Sequence, residues 1–188
     1  MTCVKDQAGK MLHGFTLIEV LAAITVIATI ASVSSMIMFN SIDSYTASSI
    51  SAGLNKDMTI ALEQVVRHLR KIELDSSATE TAPNINNVTT TSIDWSDSGL
   101  DAYNLSLSGS NLMLSINGGG SNLLLTDVSG MTIQTYDQSN NPLPASLSGS
   151  ACDQIRRIAV DITLTRGGES QSLGMKVFLR STMSGGGT

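Results

Sequence analysis

Apolar and polar positions change their rhythm three times along the chain. From Phe15 to Phe39 there are 25 residues with a single charge, Glu19. The window from Val20 to Phe39 holds 15 apolar residues and five serines or threonines. At about 1.5 Å per residue a helix of that length covers about 38 Å, more than the roughly 30 Å of a bilayer core. The segment therefore predicts a membrane-spanning helix. Its hydroxyls are tolerated because they bond back to helix carbonyls. From Leu54 the apolar positions are Leu54, Met58, Leu62, Val65, Leu69 and Ile72, three or four residues apart. Lys56, Asp57, Glu63, Arg67, Arg70 and Lys71 lie off that stripe. This is one face of an amphipathic helix. It is expected to continue the first as one rod of about 55 residues. Gly53 and the Ser-rich stretch 41–51 are where such a rod is expected to kink or loosen.

Beyond the rod the period becomes two. Leu105 and Leu107, then Leu112, Leu114 and Ile116, alternate on either side of "SGSN", a hairpin signal. "NGGGSN" predicts a second turn, followed by the strand-like runs "LLLTDV" and "MTIQTYD". Ile158, Val160, Ile162 and Leu164 alternate with Asp161, Thr163 and Thr165, and "RGGE" turns the chain back to Leu173, Met175, Val177 and Leu179. Residues 75–99 and 137–154 read as polar loops, with one short element over 91–95. The expected architecture is α+β: a long N-terminal helix whose second half packs on an antiparallel β-sheet. The expected segments are 1–14, a leader; 15–39, the membrane helix; 40–73, its amphipathic half; 74–183, a β-rich head; and 184–188, a flexible tail.

Charge sharpens this picture. The net charge is −5, and no basic patch stands out along the chain, which argues against a nucleic-acid partner. Lys5 and Lys10 against Asp6 make the N-terminal flank slightly basic, placing it on the cytoplasmic side and the head outside. The apolar run is too long for the core of a secretory signal, and no A-x-A site follows it. A plain signal anchor is the simplest reading of hydropathy alone. Glu19 is what that reading leaves unexplained. A carboxylate inside a membrane helix is costly and needs a partner. The helix offers no buried positive charge, so the partner is expected from another molecule or from a newly made N-terminus.

Gly14 followed by "FTLIEV" resembles the processing site of type IV prepilins and type II secretion pseudopilins, closely from Gly14 to about Ala31. The resemblance implies a pilin-like fold and cleavage between Gly14 and Phe15 by a membrane-embedded prepilin peptidase. It implies that the same enzyme N-methylates Phe15. It also implies that Glu19 pairs with the cationic terminus of a neighbouring subunit, where opposite charge offsets the desolvation of both groups. Removing residues 1–14 takes the charge to −6 and removes Cys3, leaving Cys152 without an intramolecular partner. The runs "LLLTDVSGMTIQTYD" and "IRRIAVDITLTRGGESQSLGMKVFLRS" are more loosely similar to J-type pseudopilins and W-type minor pilins. The implied function is a structural subunit, minor and tip-located, of a secretion pseudopilus or type IV pilus. The implied partners are other pilin or pseudopilin subunits and an inner-membrane assembly platform. The implied location is the inner membrane, then a periplasmic or surface fibre.

Other chemistry is sparse. His13 and His68 have no Ser or Cys at motif spacing, and "NGGGSN" precedes neither a helix nor a lysine, so no phosphate loop is formed. The sequence points to no enzyme and no cofactor. Asp94, Asp97 and Asp101 suggest a calcium site by spacing, yet lack the glycine turn and closing glutamate of an EF-hand loop, which favours ordinary surface aspartates. The two long polar loops are also compatible with a fibre-displayed adhesin or binding subunit. The scarcity of aromatics, 4%, argues against sugar stacking.

Overall fold

The computed structural model describes residues 16–75, 82–97, 99 and 101–179. The expected leader with Gly14 and Phe15, and the expected tail, lie outside the described residues. The long apolar run and the amphipathic stripe form one helix, α1, Leu17–Leu69, 53 residues without interruption. It passes through the Ser-rich stretch and Gly53 without a break in its helical run. The chain divides into two units, Met1–Thr46 and Ala47–Thr188.

In the first unit every described residue is exposed. Thr25, Thr29, Ser32, Ser35 and Ser41 each donate a hydroxyl hydrogen bond to a carbonyl three or four residues earlier, at 2.8–2.9 Å. Each polar side chain thus satisfies its donor inside its own helix, which lets an apolar helix carry hydroxyls cheaply. By length and composition the helix can cross a membrane, with a mean hydropathy of 2.2 over its most apolar window.

In the second unit the rest of α1 buries Leu54, Met58, Ala61, Leu62, Val65, Val66 and Leu69. The predicted stripe is the core face. The helix ends at Leu69, three residues before the stripe does. Ile72 nevertheless reaches the core from an extended segment, bridged to Asp97.

Among the described residues nine strands follow: β1 (Ile85–Val88), β2 (Ser92–Ser96), β3 (Ala102–Ser108), β4 (Asn111–Ile116), β5 (Asn122–Leu125), β6 (Val128–Tyr136), β7 (Leu147–Ser148), β8 (Arg157–Arg166) and β9 (Glu169–Phe178). They form a six-stranded sheet in the order β5-β4-β3-β2-β1-β7 and a three-stranded sheet in the order β6-β8-β9. The paired strands run antiparallel. Together with the helix this is an α+β, pilin-like layout. The "SGSN" and "RGGE" turns lie where expected, and Gly167 and Gly168, with φ of 60° and 87°, supply the left-handed pair that a tight hairpin needs.

The structure departs from the expectation in two ways. There are two sheets rather than one. And the stretches read as loops contain more order: β1 lies within 75–99, while β7 and a 3-10 helix, Gly149–Gln154, lie within 137–154. The reason is visible in β1, "INNV". Only its two ends are buried, against Trp95 and Ile93 of β2, and a bulge separates Ile85 from Asn87. Two central asparagines and an irregular register hide the period-two signal on which a strand assignment rests.

Candidate assembly site and the polar clusters of the second unit

The first turn of α1 is built from Thr16 and Glu19. Glu19 Oε2 accepts from the Thr16 backbone N–H at 2.9 Å and from its hydroxyl at 3.0 Å. The Glu19 N–H donates to Thr16 Oγ1 at 3.4 Å. This reciprocal arrangement is a capping box: the Glu19 carboxylate satisfies the Thr16 N–H, and the Glu19 N–H is shared between Thr16 Oγ1 and the Thr16 carbonyl at 3.1 Å. The acid also sits where the helix dipole is positive. Sequence reasoning sought only a cation for Glu19. The structure supplies two neutral donors one turn away, and "TLIE", with Thr and Glu three apart ahead of an apolar run, was the signal for them. Gly14 and Phe15, the expected cleavage pair, lie outside the described residues.

In the second unit the three aspartates singled out by spacing are each held by their own donors. Asp97 Oδ1 accepts from the N–H groups of Gly99 (2.9 Å) and Asp101 (3.2 Å), and its Oδ2 from the Tyr103 hydroxyl (3.0 Å). Asp94 accepts from the side-chain amides of Asn87 and Asn104. Asp101 accepts from that of Asn117 at 2.6 Å. Among the described residues, no three His, Cys, Asp or Glu side chains are grouped to hold one metal ion.

His68 is half-buried near the end of α1, 5.2 Å from the Tyr103 ring, which stacks on Trp95 at 5.5 Å. Burial holds the His68 imidazole below its ordinary range, and repulsion from Lys71 and Arg67 adds to this against the pull of Asp97. Burial, with the Asp97 hydrogen bond and charge, pushes Tyr103 up. His68 faces rings and cations. Cys152, fully buried and free, has its thiol pushed up by burial and by Asp153, which keeps it protonated and unreactive.

Among the described residues, two cavities open on this unit. One, of about 240 Å³, lies between α1 and β5 and is lined by Asp57, Ile60 and residues 123–126. The other, of about 280 Å³, is lined by Asp75, Asn84, Asn86, Ser150 and Asp153 among others.

No curated protein matches the chain. The model of the prokaryotic N-terminal methylation motif matches residues 10–35, the stretch that holds the capped start of α1, and this match supports a type IV pilin-like or pseudopilin subunit, structural rather than enzymatic.

Proposed function

We propose that the chain is a minor, tip-type subunit of a type II secretion pseudopilus or type IV pilus. Prepilin peptidase cuts it between Gly14 and Phe15 and N-methylates Phe15. Residues 1–14 are the leader, and 15–39 cross the inner membrane with the N-terminus cytoplasmic and the head, 74–183, periplasmic. An inner-membrane platform then extracts the helix from lipid into a fibre of pilin or pseudopilin subunits. Burial against neighbouring helices replaces lipid contact, and a head-to-tail interface of this kind propagates as an open helical filament.

The observation that carries this reading is the fully exposed apolar stretch of α1 with one acid in its first turn, directly inside the matched motif. A signal anchor needs the apolar length and not the acid. In the fibre, Glu19 exchanges its neutral Thr16 donors for the methylated ammonium of an adjacent Phe15, and this sets the register. The experiment is intact mass and tandem spectra of protein extracted from its native membrane. A chain beginning at methylated Phe15 is expected. A chain beginning at Met1 in cells with active prepilin peptidase would return the protein to the signal-anchor reading.

A further inference from the structure

The outward face of the β6-β8-β9 sheet carries a second feature. Along β8, Ile158, Val160, Ile162 and Leu164 are buried, so Arg157, Ala159 and Asp161 alternate onto the other face. Register places Tyr136 of β6 and Phe178 of β9 on either side of Arg157, and Lys176 beside Ala159. The Arg157 guanidinium lies 4.7 Å from the centre of the Phe178 ring. Lys176 reaches across the middle strand to put its ammonium 4.9 Å from the centre of the Tyr136 ring. Ala159 belongs to the solvent side by alternation, yet only 3% of it is exposed. A residue with no more than a methyl is covered there because the Lys176 stem crosses it. The two cations and two rings form one closed platform.

Among the described residues neither cation of the platform is in a salt bridge. Among the described residues the ion pairs belong to Arg166, with Asp57 and Asp127. Arg157 donates to a neutral acceptor, Asn140 Oδ1. Among the described residues the Lys176 ammonium meets the Tyr136 ring. Two carboxylates lie in the area. Asp137 is held chiefly by the Asn141 side-chain and backbone amides at 2.9 and 2.7 Å, and the Arg157 charge acts on it more weakly. Asp161 is folded over Gly174, where a Cβ would stand 1.9 Å from its Oδ1. In a protein of net charge −5, two ordered cations on one sheet face with no salt-bridged carboxylate among the described residues stand out. Rings that pre-position a guanidinium and an ammonium lower the entropy lost when an anion binds, and Arg offers a carboxylate a fork while Phe178, 48% exposed, offers apolar contact.

We infer that Tyr136, Arg157, Lys176 and Phe178 form a docking platform for a carboxylate-rich segment of a neighbouring protein chain. This goes beyond the fibre reading and does not depend on it. The test uses the full-length protein in detergent micelles at low salt, titrated with fluorescein-labelled hexaglutamate and read by anisotropy. Arg157→Gln with Lys176→Gln is expected to weaken binding about tenfold. Lys56→Gln with Arg70→Gln removes the same charge from exposed positions on α1 and in the turn that follows it, and is expected to leave binding unchanged. Tyr136→Leu with Phe178→Leu, which alters no charge, is expected to weaken it several-fold by releasing the cations. Equal losses from the two charge variants would overturn the proposal, because net charge alone would explain them. So would absence of peptide binding, or tighter binding of a single-stranded oligonucleotide of equal charge.

Discussion

The two stretches of α1 obey opposite rules. From Leu17 to Thr46 every apolar side chain stands exposed; from Leu54 to Leu69 the apolar stripe is shut into a core, with Leu54, Met58, Leu62 and Leu69 at 0% exposure. The first stretch is apolar around its whole circumference and the second on one face only. A helix apolar all round has no face to turn to water and must be covered by something its own chain does not supply. A helix apolar on one side completes its burial with strands from its own chain. Continuous hydrogen bonding along one helix says nothing about which solvent each part is built for. The composition of the circumference does.

The largest separation of the two is expected from Glu19→Ala. If Glu19 pairs with a neighbouring terminus as proposed, this variant should insert and be cleaved but be incorporated roughly tenfold less or worse, since that pairing would lose its carboxylate. Fibre pull-down with quantitative blotting measures it, and normal incorporation would end the pairing idea. Next comes Leu62→Ala, expected to destabilise the second unit by about 2–5 kcal/mol through a core cavity. Ile27→Ala, in the exposed stretch, is expected to leave the melting temperature of that unit unchanged in detergent. Comparable losses from both would mean the two stretches are not built for different surroundings.

Thr135→Val is smaller and opposite in sign. Thr135 is 1% exposed and its hydroxyl has no hydrogen-bond partner. Exchanging that group for a methyl of the same shape should stabilise the unit by about 1 kcal/mol, read by chemical denaturation. The smallest effect is a pH slope. The folded chain holds His68 below its usual value, chiefly by burial. As pH falls below about 6.5 the unfolded chain takes up this proton first, so stability is lost down through the folded value. Melting temperatures between pH 7 and pH 5 should fall less steeply in His68→Gln than in the parent. An unchanged slope would place the titrating group elsewhere.

Strong periodicity carried most of the fold. The helix stripe Leu54 to Leu69 and the β8-β9 hairpin were legible because burial on one face forces a period of 3.6 or 2 onto the residues. Strands β1 and β7 were not. Each is short: β1 buries only its ends, and β7 buries Leu147 alone of its two residues. Their order comes from pairing with each other and, for β1, with β2. Glu19 stood out as an acid in an apolar run. Its local partner Thr16 went unread because a search for a countercharge passes over a hydroxyl and a backbone N–H. The aspartates at 94, 97 and 101 were near in sequence, but proximity along the chain does not say which donors each carboxylate will meet.

The sequence alone determined the membrane-length helix, its amphipathic continuation, the hairpin turns and the motif around Gly14 and Phe15, because each is written in spacing or composition within a few dozen residues. Only the tertiary structure decided that the strands divide into two sheets. The same holds for the enclosure of Cys152 and for the gathering of Tyr136, Arg157, Lys176 and Phe178 on one face. Those outcomes depend on which strands become neighbours, and Tyr136 and Lys176 meet across the middle strand only through cross-strand pairing, which local pattern does not encode.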